Sequence, residues 1–161
     1  MVTEKEIWEF LEEVYDPEVP VLTVVDLGVV QKVKLGNNSC KITITPTYSG
    51  CPAMHRMHSD IEDKLTEKGI KNVEVEMVLS PAWTTDWISE SGRKKLKEYG
   101  IAPPVDEPDK SILFATPVVV PCPLCESDDT KLISQFGSTA CKAHYKCNIC
   151  LEPFDYFKCL R

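Results

Sequence analysis

The chain has 161 residues, 43% of them hydrophobic, and a formal net charge of −7 at pH 7. These values are typical of one globular domain, or of a small domain with an appendage, and they exclude a disordered chain. The acidic balance argues against nucleic-acid binding, and no apolar run approaches the roughly 18 residues needed to cross a bilayer.

The N-terminus and the cysteine content indicate the compartment. The first residues, MVTEKE, are charged where a secretory signal peptide needs an apolar core. We therefore expect a cytoplasmic protein. Eight cysteines in a reducing compartment indicate metal or redox chemistry more than disulfides.

Hydrophobic periodicity and turn residues predict a small α+β fold. Its elements are a helix over residues 4–15, strands over 29–35 and 40–45, a helix over 52–69, a strand over 73–79 and a helix over 83–99. Thr3 and Glu6 form a capping box for the first helix, and Gly69 suits the end of the second. Trp83 and Trp87 are expected to share a face of the last helix as a packing anchor. The series predicts a small mixed sheet with helices packed on it.

Cys51 lies at the predicted junction between the second strand and the second helix, in the sequence TPTYSGCP. Gly50 permits a tight turn and leaves the sulfur accessible, and the helix N-terminus would stabilise a thiolate. Position alone does not separate a reactive thiol from a small buried cysteine, so both interpretations stay open. His55 can face the same site or be a solvated helix residue.

Two CxxC pairs separated by 21 residues follow in the last third of the chain. Four thiolates at this spacing can close a tetrahedron around Zn²⁺, and a segment of about forty residues buries too little apolar surface to fold without a metal. We therefore predict a structural zinc ion held by Cys122, Cys125, Cys147 and Cys150. Thiolates also suit iron–sulfur clusters, so the identity of the metal stays open.

Other residues of this segment have two interpretations each. Cys141, His144 and Cys159 are either additional metal ligands or residues with no metal role. Phe154, Tyr156 and Phe157 form either a small core or a protein-docking face. A stretch rich in proline and charge precedes the segment. We predict an α+β domain over 1–101, a linker over 102–117 and a four-cysteine zinc ribbon over 118–161.

Several motifs resemble known families. DPEVP at 16–20, DLG at 26–28 and TYSGCP at 47–52 together resemble the signature of SufT-like iron–sulfur assembly factors, over roughly residues 4–80. Further stretches are similar to the PaaD (also called PaaJ) family: TTDW at 84–87, YGIAPP at 99–104, FGSTACK at 136–142 and EPFDYFKC at 152–159. The chain is identified as a member of that family over nearly its whole length.

The resemblance implies a protein of aerobic phenylacetate degradation, grouped with the system that epoxidises the ring of phenylacetyl-CoA. The oxygenase and reductase are other subunits of that system and are the expected partners. In the related assembly factors the cysteine matching Cys51 is the reactive one. Asp16, Glu18 and Asp26 match acidic positions near it, and His55 is a further candidate neighbour.

We expect an accessory protein that assists assembly or delivery of iron or iron–sulfur centres to the phenylacetyl-CoA epoxidase complex. One thiolate cannot hold a cluster alone, so a transient iron or cluster at Cys51 implies partner ligands or a homodimer. The alternative is a non-catalytic structural subunit of the same oxygenase. Because no nucleophile–base set and no phosphate-binding glycine loop is recognisable, catalysis by this chain alone is not expected.

Overall fold

The computed structural model describes residues 2–105 and 118–158. They form two compact units. The first runs to Trp83 and includes Trp87–Gly92, and the second comprises Thr84–Asp86 and the described residues from Arg93 onwards. The predicted division at residues 101 and 117 stays a prediction, since 106–117 lie outside the described ranges.

The first part of the chain contains both helices and strands. They are α1 (Glu4–Leu11), β1 (Val30–Gly36), β2 (Ser39–Ile44), α2 (Ala53–Glu67) and β3 (Asn72–Met77), followed by a 3₁₀ turn (Thr85–Trp87) and α3 (Glu90–Tyr99). None of the helices described here has the length and apolar character required to span a membrane.

The sheet of the first unit has the strand order β1-β2-β3 and is mixed. β1 runs antiparallel to β2, with Val33 opposite Ile42, and β3 runs parallel to β2, with Val75 opposite the same residue. A parallel pair needs a crossover, which α2 provides. Helix α1 contacts α2 and β1, and α2 contacts β3. Ile42, Ile61 and Leu65 are fully buried between these layers, so the predicted mixed sheet with packed helices is confirmed.

Helix α1 begins as predicted and ends early. The Thr3 hydroxyl accepts a hydrogen bond from the Glu6 N–H, and the Glu6 carboxylate accepts one from the Thr3 N–H, so the capping box is confirmed. The helix ends at Leu11 and not at residue 15. Tyr15 pairs instead with Thr23 in an extended bridge, because the proline after Asp16 disfavours helical backbone at that residue.

Helix α3 begins at Glu90, so the prediction of a helix from Trp83 is wrong. The indole N–H of Trp83 donates to the Leu27 carbonyl at 2.9 Å, which holds this residue outside the helix. The Ser89 hydroxyl accepts from the Gly92 N–H at 2.9 Å and so caps the new start. Trp83 is 5% exposed, which agrees with its predicted packing role.

The second unit contains a four-stranded sheet. Its strands are β4 (Ile101–Ala102), β5 (Thr130–Ser134), β6 (Lys142–Cys147) and β7 (Pro153–Phe157), in the order β4-β7-β6-β5. The Tyr145 ring stacks on Phe154 at 5.9 Å and meets Tyr156 edge-on at 5.6 Å. Phe157 is 1% exposed. Of the two interpretations of these aromatic residues, the small core is confirmed.

Candidate metal centre and thiol site

The four cysteines of the two CxxC pairs converge within the second unit. All four sulfur atoms lie within 4.8 Å of one another. The Cys122 and Cys150 sulfurs are 3.7 Å apart, and those of Cys125 and Cys147 are 3.5 Å apart. In a tetrahedral site with Zn–S bonds of about 2.3 Å the sulfurs are roughly 3.8 Å apart. The donor set and its spacing therefore fit one four-coordinate metal ion.

Each pair turns its sulfurs inward through a tight backbone loop. In the first loop the Glu126 N–H donates to the Cys122 carbonyl at 2.9 Å, and in the second the Ile149 N–H donates to the Cys147 sulfur at 3.4 Å. The residue after the second cysteine has a left-handed backbone in both loops, with φ of 63° at Glu126 and 67° at Leu151. The two loops are therefore built alike.

The thiols of the second loop differ in acidity. Burial raises the pKa of Cys147, but the N–H groups of Cys150 and Ile149 and the neighbouring thiols lower it to about 7. The Glu152 N–H acts to lower the pKa of Cys150, whereas burial and the adjacent thiols raise it to about 12. Cys147 is therefore the member of this pair that ionises first.

The candidates for additional ligands lie apart from this group. The Cys141 sulfur is 3.0 Å from the Thr139 hydroxyl, and Cys141 is 5% exposed. The His144 Nδ1 is 3.2 Å from a carboxylate oxygen of Asp155. Cys159 lies outside the described residues. The structure thus engages Cys141 and His144 with groups other than the four sulfurs.

Cys51 lies between β2 and α2, as predicted, and is nearly buried. It is 6% exposed, so the expected accessible sulfur is not seen. Its N–H donates to the Tyr48 carbonyl at 3.2 Å, and its carbonyl accepts from Met54 at 3.3 Å. Gly50 has φ of 79°, a conformation that favours glycine. At the entrance to the loop, the buried Thr45 hydroxyl has no hydrogen-bond partner within the described residues.

The carboxylate of Asp16 closes a turn. One of its oxygens accepts from the Glu18 N–H at 2.6 Å and from the Val19 N–H at 3.0 Å. Asp16 is 5% exposed, and Glu18 is half-buried. In the DPEVP motif, Asp16 therefore shapes the backbone after α1.

Asp26 joins two distant segments of the first unit. One carboxylate oxygen accepts from the Thr23 N–H at 3.3 Å and the other from the Ser89 hydroxyl at 2.9 Å. The Ser89 N–H also donates to the Asp26 carbonyl at 2.8 Å. Gly28 has φ of 72°, and a Cβ placed on it would lie 2.4 Å from the Trp87 carbonyl oxygen. Residues 87–92 therefore pack against the DLG motif.

The predicted neighbours of Cys51 do not form a ready metal site with it. His55 is exposed on α2. Over residues 2–105 and 118–158, the ribbon cysteines are the only group of three or more Cys, His, Asp or Glu side chains whose ligand atoms lie so close together. An ion bound at Cys51 would need ligands from elsewhere or a rearranged loop.

Comparison with known proteins assigns the chain to a family. The family model of the PaaD zinc beta ribbon domain matches residues 106–158, and that of an iron–sulfur cluster assembly protein matches residues 4–78. A protein of Escherichia coli (strain K12), named as a putative subunit of 1,2-phenylacetyl-CoA epoxidase, is 50% identical over 155 residues, which cover 96% of this chain and 92% of that protein. The chain belongs to the PaaD family.

This PaaD family member also has relatives that match only part of it. An Fe-S protein maturation auxiliary factor of Porphyromonas gingivalis is 36% identical over 96 residues, covering 58% of this chain and 90% of that protein. A crystal structure of a domain of unknown function, DUF59, from Bacillus anthracis has a TM-score of 0.55 at 32% identity, covering 58% of this chain and 90% of that one. The predicted resemblances are therefore confirmed.

Sequence reasoning missed how the DLG motif contacts the residue that precedes α3. It identified Asp26 as a candidate neighbour of the thiol and gave no role to Ser89, although these side chains are joined by a hydrogen bond. A serine directly before a glutamate, Ser89 before Glu90, was an available signal for a helix cap. Nothing local indicated the partner of Ser89, which lies 63 residues earlier.

Proposed function

We propose that this protein is an accessory factor of aerobic phenylacetate degradation that assists assembly or supply of iron or iron–sulfur centres in the phenylacetyl-CoA epoxidase complex. The observation that carries the proposal is the 50% identity to a protein named as an epoxidase subunit, over 96% of the chain. The match of residues 4–78 to an iron–sulfur cluster assembly protein supports the assembly role. In this proposal the chain acts on metal centres of its partners and does not catalyse a reaction by itself.

In this role Cys51 supplies a thiolate ligand to iron that is being transferred. Because Cys51 is only 6% exposed, transfer requires the loop over residues 47–52 to open or a partner to insert its own ligand. The Thr45 hydroxyl, which has no hydrogen-bond partner among the described residues, supports this requirement, since a buried polar group without a partner is costly and gains from rearrangement. Partner residues or a second copy of the chain complete the coordination.

Asp16 and Asp26 hold the backbone of the DPEVP and DLG motifs. Their carboxylate oxygens already accept hydrogen bonds from backbone N–H groups and from Ser89. His55, which is exposed on α2, is the member of the predicted set that can turn towards an incoming ion.

Cys122, Cys125, Cys147 and Cys150 hold a structural zinc ion. Sulfurs 3.5 and 3.7 Å apart support a single ion, because the ligands of a cluster bind different iron atoms and stand farther apart. Bound zinc would supply folding free energy to the second unit. Zinc near one per chain, without sulfide, is expected from metal analysis of protein purified without oxygen.

The test of the thiol compares Cys51→Ser with Cys40→Ser. Cys40 is also buried, at 1% exposure, and burial raises the pKa of its thiol, so it controls for the loss of a buried sulfur. Cys51→Ser should leave the fold and the zinc content unchanged and abolish growth on phenylacetate, with less iron in the epoxidase subunits. Cys40→Ser should retain growth. Normal growth and normal iron content in cells carrying Cys51→Ser would contradict the delivery role.

The second candidate function is a structural subunit of the epoxidase complex, which the name of the relative favours. It predicts stoichiometric co-purification with the oxygenase and reductase subunits and full activity of Cys51→Ser. A maturation factor is instead expected at less than one copy per complex.

A further inference from the structure

Three exposed apolar side chains flank the metal-binding cysteines. Leu124 is 60% exposed, Ile149 is 64% exposed and Leu151 is 63% exposed. Leu124 and Ile149 lie inside the two CxxC loops, and Leu151 follows Cys150. The sulfurs of the same loops lie within 4.8 Å of one another, so these exposed side chains belong to the segments that form the sulfur cluster. We name residues 123–124 and 148–151 the ribbon tip.

The fold by itself does not account for a leucine at position 151. Its φ of 67° is a left-handed conformation that glycine adopts freely and that costs stability for a leucine. At 63% exposure its side chain recovers little of that cost through burial. A strained backbone that presents a large apolar side chain to solvent indicates a role in binding.

Acidic residues adjoin the ribbon tip in the sequence. They are Glu126, Asp128, Asp129 and Glu152; neither 119–129 nor 147–152 contains a lysine or arginine, and Lys131 and Lys146 follow and precede these ranges. Lys97 pairs with Glu126. Within the described part of the chain, Asp128 and Glu152 have no ion-pair partner. Four thiolates around one divalent ion leave further negative charge at the centre. The tip is therefore apolar with an acidic rim.

We propose that the ribbon tip is the surface through which this protein docks onto a subunit of the epoxidase complex, in an apolar pocket rimmed by lysine and arginine. The inference rests on the proposed function, which supplies the class of partner. Charge complementarity favours this occupant, since a tip-to-tip contact with a second copy and the phosphates of a nucleic acid would both be repelled. The leucines and Ile149 supply the buried apolar area, and the acidic rim orients the encounter.

The experiment uses the full-length, zinc-loaded protein and the purified oxygenase and reductase subunits, with binding measured by titration calorimetry. Leu151→Gly relieves the backbone strain, so this variant should be at least as stable to urea as the wild type and keep its zinc. Its Kd should nevertheless rise roughly ten- to hundredfold, because a large side chain is lost from the interface. The control is Asn38→Gly, which has φ of 62° in the first unit and should bind like the wild type.

The acidic rim is tested separately. Asp128→Asn combined with Glu152→Gln should slow association and flatten its dependence on salt, because rim charges act mainly on the rate of encounter. Glu12→Gln, an exposed acid of the first unit, is the matched control and should change neither.

Wild-type affinity of both Leu151→Gly and Ile149→Ser would overturn the docking surface, as would absence of binding to every subunit. A wild-type dimer that Leu151→Gly dissociates in sedimentation would overturn the stated occupant in favour of a second copy. Cys51→Ser separates this inference from the proposed function. If Cys51→Ser binds and matures the complex normally while Leu151→Gly loses binding, the docking surface stands and the delivery role fails. If Cys51→Ser fails to mature the complex while Leu151→Gly binds normally, the delivery role stands and the docking surface fails.

Discussion

Replacing Gly28 by alanine should destabilise the first unit far more than the same change at Gly69. Both residues have positive φ, 72° and 93°. A Cβ on Gly28 would lie 2.4 Å from the Trp87 carbonyl oxygen and 2.7 Å from the Trp87 Cβ, whereas a Cβ on Gly69 meets nothing within 4 Å. The two substitutions therefore share the backbone cost and differ in the steric one.

The magnitudes follow from these two costs. A left-handed backbone costs a residue with a Cβ roughly 1–2 kcal/mol, and this is the expected loss for Gly69→Ala. Forced overpacking adds about 1–3 kcal/mol, so Gly28→Ala should lose about 2–5 kcal/mol in all. The contact cannot relax easily, because Ser89, two residues after Trp87, is tied to Asp26 through both its N–H and its hydroxyl.

Urea unfolding monitored by tryptophan fluorescence measures the effect in the correct unit. All three tryptophans, Trp8, Trp83 and Trp87, belong to the first unit. The free energies of unfolding of the two variants are compared with that of the wild type at equal m-values. If Gly28→Ala and Gly69→Ala differ by less than about 0.5 kcal/mol, within the usual scatter of surface substitutions, the reasoning about the contact between Gly28 and Trp87 is refuted.

Replacing Cys147 by serine should release the metal and unfold the second unit. The tryptophan fluorescence of the first unit should stay that of the wild type. A full complement of zinc in this variant would contradict the four-sulfur site. Asp26→Asn should cost about 1–3 kcal/mol in urea unfolding, since one buried donor loses its acceptor, and an unchanged midpoint would show that its carboxylate is dispensable. Hydrogen bonds from Lys68 and Lys64 lower the pKa of Glu13, so this carboxylate stabilises the fold above its ordinary pKa and the contribution is lost as the pH falls through the lowered value. Glu13→Gln should therefore lose less stability than the wild type on acidification, and equal losses in a pH series of thermal unfolding would count against the ion pairs.

Much of the fold could be predicted because its signals are local. The capping box of Thr3 and Glu6 joins residues three apart, and the alternation in β2 reports one buried face. The CxxC spacing restricts each sulfur pair to one tight loop, so the four-cysteine group could be predicted without the structure. The family motifs extended this prediction to the ribbon domain that the comparison found.

Contacts between distant residues could not be predicted in this way. The pattern of the last helix predicted a start at Trp83, but the Leu27 carbonyl, 56 residues earlier, holds Trp83 outside it. Asp26 was predicted to be a neighbour of the thiol from its position in a motif, and its carboxylate accepts a hydrogen bond from Ser89, 63 residues later. Hydrogen-bond partners at such separations depend on how the chain returns on itself, which periodicity does not report.

The sequence by itself therefore determined the elements, the metal-binding cysteines and the family, because each depends on spacing along the chain. Only the tertiary structure decided that Cys51 is nearly buried, that Asp16 and Asp26 hold backbone turns, and that Leu151 is presented to solvent on a left-handed backbone. Burial and backbone strain are properties of the packed chain. Tertiary contacts decide which neighbours cover a residue, and its position in the sequence does not.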